Sequence, residues 1–328
     1  MIRIYEYIFS YKYLYYKLIM QSNVKYYRIN INELGPTGLF NQLMHIVTGL
    51  ILANLMGRNI YKPTFLPNYN SLNSVPLSDV IDVEHLNKVL LSLNMTCQIH
   101  MDVDVPNDLF VISQYRNNFL SKIEFTPVQS ILDKLRNEDQ HKYLDLGSVF
   151  GQISEYKELE LNIHKNILFQ PQYYKILEYC KLNYLQGSYN AVHLRLEDDW
   201  ISCMSPIYCT TFEGYSELLM RNYNKSMESL FLPTDKIYIA SHLGKAKNRN
   251  NNIIERIREK YPNIVTVIDW RKHFTVTKGR EIDAIIDYLI CLDSQKFIGI
   301  YWSTYSRFIG NINISKGKVA NIINNLSV

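Results

Sequence analysis

Apolar residues recur at helical spacing from Leu39 to Met56, at Leu39, Leu43, Ile46, Val47, Leu50 and Leu55, and Gly57 ends the run as a C-terminal cap would. The stretch Val24 to Ile31 reads as a strand, and Glu33-Leu34-Gly35-Pro36-Thr37-Gly38 after it holds the glycines and proline that enforce a turn. Asn59 to Tyr61 reads as a short second strand, so the chain opens on a β-loop-α-β unit. Pro63, Pro67, Pro76 and Pro106 then break the pattern into shorter pieces. These are a capped short helix over Pro76 to Asp82, strands near Phe110 to Ser113 and Tyr143 to Leu146, and a helix over Ile167 to Leu182.

After Gly187 the pattern becomes regular. Strands at Tyr189 to Leu194, Lys236 to Ser241, Ile264 to Ile268 and Lys296 to Ile300 alternate with helices near Thr211 to Met227, Asn251 to Lys260 and Glu281 to Leu292, and a last helix opens around Thr304. Strands separated by helices of roughly 10 to 15 residues predict parallel βαβ units with right-handed crossovers. In such sheets ligands sit beyond the carboxyl ends of the strands. The predicted class is therefore α/β with mostly parallel sheets, divided into an N-terminal helix or tail over 1–23, a Rossmann-like domain over 24–186 and a second over 187–328.

Composition narrows the partners. A chain of 328 residues, 47% hydrophobic and 20% charged, is long enough for two ordinary domains. Its net charge of +4 is carried by scattered Lys and Arg without a basic block, which argues against nucleic acid and suits one small anionic ligand. The N-terminal stretch is aromatic and aliphatic but carries Arg3, Glu6, Lys12 and Lys17, so no apolar run reaches the roughly 20 residues that span a bilayer. The five cysteines, Cys97, Cys180, Cys203, Cys209 and Cys291, form no CxxC pair and no zinc-like spacing. In a reducing compartment they are buried thiols, whereas in an oxidising one four of them can pair. The cytoplasm is the expected location, with the lumen of the secretory pathway as the alternative.

Three segments at strand ends carry the candidate chemistry. In Ala191-Val192-His193-Leu194-Arg195-Leu196-Glu197-Asp198-Asp199-Trp200, strand alternation sends His193 and Arg195 to one face and Val192 and Leu194 to the other. An Arg at such an edge can hold a phosphate through two hydrogen bonds, or can simply pair with Glu197 or Asp199 on the surface. The acidic run Glu197 to Asp199 reads as a solvated or helix-capping turn in preference to a metal clamp. In Phe297-Ile298-Gly299-Ile300-Tyr301-Trp302-Ser303-Thr304-Tyr305-Ser306, a buried strand passes through hydroxyls into a helix start, a natural anion site in which Ser303 is also an N-cap. Asp287, on the helix before it, is either an exposed carboxylate or one that reaches a base edge. In Gly38-Leu39-Phe40-Asn41-Gln42-Leu43-Met44-His45, Asn41 and His45 share a helix face at i, i+4, and Asn41 can hold a phosphate or an acceptor hydroxyl.

Together these three segments resemble the GDP-fucose protein O-fucosyltransferase family, in the order and spacing of Gly38 through Gln42, of His193-Leu194-Arg195 with Asp199-Trp200, and of Asp287 with Phe297-Ile298-Gly299 and Ser303-Thr304-Tyr305. The resemblance covers roughly residues 24 to 310. It implies a GT-B fold of two facing Rossmann-like domains, the first on the acceptor side and the second holding a nucleotide sugar. It also implies inverting, metal-independent transfer of a sugar, foremost fucose from GDP-fucose, to a hydroxyl of a protein or glycan, with no cofactor beyond the donor. By the same resemblance Arg195 holds the β-phosphate, Ser303, Thr304 and Tyr305 line the diphosphate, and Asp287 contacts guanine. His193 and Asp199 shape the pocket, Gly38 belongs with them to the donor-binding set, and Asn41 lies where donor and acceptor meet. Ile300 departs from the family pattern, where a polar residue is common, and the first loop is a residue shorter than in some members.

Such a transfer needs charge stabilisation at the departing diphosphate and a base for the acceptor hydroxyl, for which Glu33 and His45 are the candidates. A related transferase using another nucleotide sugar, such as a rhamnosyl donor, and a silent sugar-nucleotide or glycan-binding protein are the alternatives. No G-x-G-x-x-G or G-x-x-x-x-G-K-S/T follows any strand, which argues against a dehydrogenase or a P-loop kinase.

Overall fold

The apolar runs of the first 168 residues build one parallel sheet and those after it build another. The structure, a computed structural model, describes residues 24–29, 38–67, 73–113, 127–147, 153–197, 201–202, 204–208, 210–241, 247–274 and 279–324. Contacts divide the chain into two compact units, the first with residues 42–65 and 74–168, the second with 36–41, 66–73 and 169–328. Residues 24–29 also group with the first unit.

In the first unit strand β1 (Tyr26–Ile29) leads to helix α1 (Leu39–Leu55), whose first three residues, 39–41, group with the second unit, and then to β2 (Asn59–Tyr61). The helix matches its periodicity to within a residue, and Gly57 ends it with φ of 62°, a left-handed conformation that glycine adopts without strain. A two-stranded ribbon, β3 (Thr64–Phe65) with β4 (Val75–Pro76), precedes α2 (Val83–Ser92) and β5 (Ile99–His100). Then come β6 (Val111–Ile112), α3 (Val128–Arg136), β7 (Tyr143–Gly147) and α4 (Lys157–Lys165). The order β5-β2-β1-β7-β6 is parallel throughout. Arg58 lies under it, 1% exposed, where its guanidinium donates to the carbonyls of Tyr26, Asp139, Lys142 and His141 and stacks on Tyr27. A buried charge is tolerated there because its terminal nitrogens are met by these carbonyls and by the Asp139 carboxylate at 3.2 Å, although Nε has no partner among the described residues.

The expected helix over Pro76 to Asp82 is only a 3-10 turn at Leu77–Asp79. Asp82 belongs to the element after it: its side chain accepts from the His85 N–H at 2.8 Å and starts α2, which the proline-broken pattern had hidden.

In the second unit α5 (Pro171–Cys180) begins at the proline, which is pre-shaped for a first helical turn. It groups with the second unit, so the division falls before this helix and not after it. There follow β8 (Asn190–His193), α6 (Phe212–Leu230), β9 (Ile237–Ala240), α7 (Lys247–Lys260), β10 (Ile264–Thr266) and the short α8 (Val267–Arg271). Helix α9 (Arg280–Asp293), β11 (Lys296–Ile300), α10 (Thr304–Ser315) and β12 (Val319–Ile323) complete the unit, the last strand at an edge and half-exposed, which conceals it in the sequence. The sheet order is β10-β9-β8-β11-β12, again parallel. Val192, Ile237, Ile239, Ile298 and Ile300 pack against Tyr215, Leu219, Tyr223 and Met227 of α6 and Ile253, Ile254 and Ile257 of α7. Successive strands run outward from β8 in one direction and from β11 in the other. The crevice between the carboxyl ends of β8 and β11 is thus a topological switch point.

Candidate functional site

The alternation of β8 continues past its last paired residue. Val192, Leu194 and Leu196 enter the core, while His193, Arg195 and Glu197 face the other way. Tyr223, fully buried on α6, fixes this exit: its hydroxyl donates to the His193 carbonyl at 2.8 Å and accepts the Arg195 N–H at 3.3 Å. Arg195 therefore leaves the sheet on a restrained backbone.

Arg195 Nη1 lies 2.5 Å from Glu197 Oε1, with the two side chains only 19% and 11% exposed. Arg280, at the start of α9, approaches the same Glu197 oxygen at 3.7 Å. Burial, the largest single influence, works against the Glu197 charge, but Arg195 together with His193, a backbone hydrogen bond and Arg280 outweighs it and holds the carboxyl below its ordinary range. The expectation of a solvated or capping acidic turn is thus corrected for Glu197, which is an inward partner of two guanidinium groups. Asp198, Asp199 and Trp200 lie outside the described residues.

Beside Arg195, His193 Nδ1 is 2.7 Å from Ser306 Oγ of α10, and its ring sits 4.5 Å from that of Tyr305. Burial, helped by Arg195 and Arg280 and opposed by Glu197, pulls the His193 pKa down to about 4, so the ring is neutral near pH 7. Ser303 caps α10, accepting the Ser306 N–H at 3.4 Å. Thr304 Oγ1 donates to Asn41 Oδ1 at 2.9 Å, which joins two segments 263 residues apart in the sequence. The Tyr305 hydroxyl, by contrast, donates to the Ala284 carbonyl, and its ring packs against Phe40 and His193. Tyr305 is a wall of the site and its hydroxyl is already engaged.

Gly299 explains the glycine of the Phe-Ile-Gly segment. A Cβ there would stand 2.6 Å from Ser306 Cβ and 2.7 Å from its Oγ, so only glycine lets α10 approach close enough for Ser306 to meet His193. Gly299→Ala is expected to lower stability by about 1–3 kcal/mol through overpacking and to weaken nucleotide binding. Gly310→Ala is the comparison, since its Cβ would meet Ile322 Cδ1 at 2.5 Å and Cγ1 at 2.7 Å, a side chain of the edge strand β12 with no part in the Ser306–His193 contact. Melting curves and nucleotide titrations on both variants check this, and equal nucleotide binding by the two would contradict it.

Two expectations change. Asp287 is not an exposed carboxylate: it is 8% exposed, one of its oxygens takes the Tyr238 hydroxyl, and Tyr238 in turn receives the Trp270 indole N–H at 3.0 Å. Burial raises its pKa to about 8. His45 is completely buried within α1, a packed helix residue and not a base open to an acceptor. Glu33 lies outside the described residues.

Sequence reasoning missed Arg280, Glu281 and Ser306. The sequence offers Glu197 as one candidate surface partner of Arg195, and the pair is present but largely buried, on the face that the same alternation reaches two residues later. Arg280 and Glu281 carry no such signal, because their importance comes from what the fold sets beside them. Among the described residues no helix is long and apolar enough to cross a membrane, no group of three His, Cys, Asp or Glu side chains could hold a metal ion, and Cys97, Cys180 and Cys291 are free and buried.

A family model described as GDP-fucose protein O-fucosyltransferase matches residues 36–312. Among solved structures the chain is similar to POFUT1 in complex with GDP-fucose, with a TM-score of 0.59, 11% identity, and 93% of this chain and 99% of that chain covered. Apo POFUT1 gives 0.58 at 12% identity over 92% and 98% of the two chains. The fucosyltransferase NodZ from Bradyrhizobium gives 0.51 at 12% identity over 88% and 93%. At such identities the likeness is one of fold, an α/β architecture of the GT-B class with mostly parallel sheets. No curated protein sequence matches the chain.

Proposed function

This chain belongs to the GDP-fucose protein O-fucosyltransferase family, and we propose that, as a glycosyltransferase of that family, it moves a fucosyl group from GDP-fucose to a hydroxyl of a protein or glycan. The transfer inverts the anomeric carbon and needs neither a metal ion nor a cofactor beyond the donor. The observation that carries this reading is the convergence of His193, Arg195 and the Ser303–Ser306 helix start at one switch point, with Asn41 held there by Thr304.

In this reading the acceptor oxygen attacks the anomeric carbon while the bond to the β-phosphate oxygen breaks, GDP departs with the electron pair, and the hydroxyl proton passes to a base. Charge grows on the β-phosphate as that bond lengthens. Arg195 meets it with a planar pair of donors, the start of α10 and the Ser303 hydroxyl add a favourable field, and Arg280 is a second cation nearby. Donors of this kind, fixed before the reaction, supply several kcal/mol of transition-state stabilisation where water is excluded. Neutral His193, bound to Ser306, contributes shape and a hydrogen bond. Asn41 orients the acceptor side, and Glu33 is the base we assign.

The test is a donor screen by released nucleoside diphosphate, with GDP-fucose, UDP-linked and dTDP-linked sugars run in parallel, each with and without EDTA. GDP-fucose is expected to turn over fastest and to be insensitive to chelation. Preference for a dTDP or UDP sugar would overturn the donor assignment, and activity lost to EDTA and restored by Mn²⁺ would return the acidic run after Arg195 to the role of a metal clamp.

A further inference from the structure

The residue before the first turn of helix α1 is Gly38, which has no side chain to accept an N–H, although the first amides of a helix have no partner within it. The acceptor comes from 242 residues away: Glu281 Oε2 takes the Leu39 N–H at 2.5 Å, in a buried setting where the whole of Glu281 is 2% exposed. The next two residues are held as firmly. Phe40 packs against the rings of Tyr288, Tyr305 and Phe308, and Asn41 Oδ1 receives the Thr304 hydroxyl. The first turn of α1 is therefore pinned at three consecutive residues to α9 and α10, the helices that flank the switch point.

We propose that Glu281 is a positioning residue of the transfer site, whose carboxylate caps the first turn of α1 and thereby fixes where Asn41 stands beside Thr304. A buried carboxylate needs a reason to remain, since desolvation disfavours it. Here the reason is geometric. Its second oxygen, Oε1, has no hydrogen bond and lies 3.7 Å from Arg280 Nε, so the Leu39 amide is the contact that orients the group. The neighbouring charges are Arg280 on its own helix and Arg195 and Glu197 from the end of β8. Burial raises its pKa to about 7, but both the ionised and the protonated forms keep an oxygen that can accept from Leu39. The cap thus depends on the oxygen and not on the charge, and Gln is a fair replacement.

This inference rests on the transfer reading above, and its test separates the two. Glu281→Ala and Glu281→Gln are compared with the unchanged protein in GDP-fucose turnover, in GDP binding stoichiometry, and in hydrogen exchange of residues 38–41, which needs no activity. The Ala variant is expected to bind GDP one to one, to lose about 10-fold or more in kcat with little change in KM for GDP-fucose, and to exchange faster in the first turn of α1. The Gln variant should recover kcat to within about threefold and keep that turn protected. Wild-type kcat and unchanged exchange in the Ala variant would overturn the proposal, as would a Gln variant impaired to the same degree as Ala. Should the Ala variant not fold, the Gln variant decides by itself, since loss of protection at residues 38–41 there contradicts a cap. Absence of turnover in the unchanged protein counts against the transfer reading, and exchange still decides the role of Glu281.

Discussion

Replacement of Arg195 by Ala is expected to cut turnover of the preferred donor by about 10² or more, because the guanidinium's interaction strengthens as charge builds on the departing β-phosphate. Arg195→Lys should stay strongly impaired, since it keeps the charge but not the planar fork. The same change carries a second effect that surface placement would not predict. Glu197 would lose the partner at 2.5 Å while the remaining guanidinium among the described residues, Arg280, stands at 3.7 Å, so a buried carboxylate would be left poorly compensated. We expect a stability loss of about 1–3 kcal/mol in the Ala variant. The two effects separate in the double variant Arg195→Ala with Glu197→Gln, which removes the stranded charge. Its melting temperature should recover while turnover remains lost, as measured by calorimetry and by GDP release. Recovery of both would reduce Arg195 to one half of an ion pair and leave the phosphate without its main cation.

The second large effect is a dependence of stability on pH that runs opposite to ordinary acid denaturation. Helix α9 carries three buried carboxyl groups whose pKa values burial raises: Asp283 to about 6, Glu281 to about 7 and Asp287 to about 8. Arg271 pairs with Asp283 and Arg280 lies near Glu281, but each offsets only part of that cost. The folded chain holds protons that the unfolded chain gives up near 3.8 for Asp and 4.5 for Glu. The stabilisation from these groups is therefore complete below the unfolded values and is lost as pH rises through about 6 to 8. Its size is on the order of a few kcal/mol, shared between Asp283 and Asp287 because they interact at i, i+4. The melting temperature of the ligand-free protein should fall from pH 6 to pH 8.5. Asp287→Asn keeps an oxygen for the Tyr238 hydroxyl and should flatten that fall. A melting temperature that is level or rises across this window would show that these carboxyls are ionised at little cost, and the buried description of α9 would not hold.

The local pattern was informative where an element's own residues determine it. Helix α1 and strands β2 and β11 lie where periodicity, Gly57 and the apolar run Phe297 to Ile300 set them, since these signals act within one or two turns of chain. The two-residue alternation that set His193 and Arg195 apart from Val192 and Leu194 is equally local, and it holds. The broken middle of the first unit was harder to read because short helices there are held by tertiary packing more than by propensity, as α2 is with its cap hidden in Asp82.

Which of these residues meet was decided by the fold. Strand order places β11 beside β8 although more than one hundred residues separate them, and only that order brings Ser306 to His193. Thr304 finds Asn41 across 263 residues and Leu39 finds Glu281 across 242, pairings for which no spacing in the sequence gives a sign. Asp287 matched its motif and yet turned inward to Tyr238, because a helix packed on a sheet buries whatever lies on its inner face, and a carboxyl there must take the donor that the core supplies. Local pattern set the long, strongly periodic elements and the faces of strand β8, but not the edge strand β12 or helix α2. The partners were left to tertiary structure, since hydrogen bonds and ion pairs act over a few ångströms in space without regard to distance along the chain.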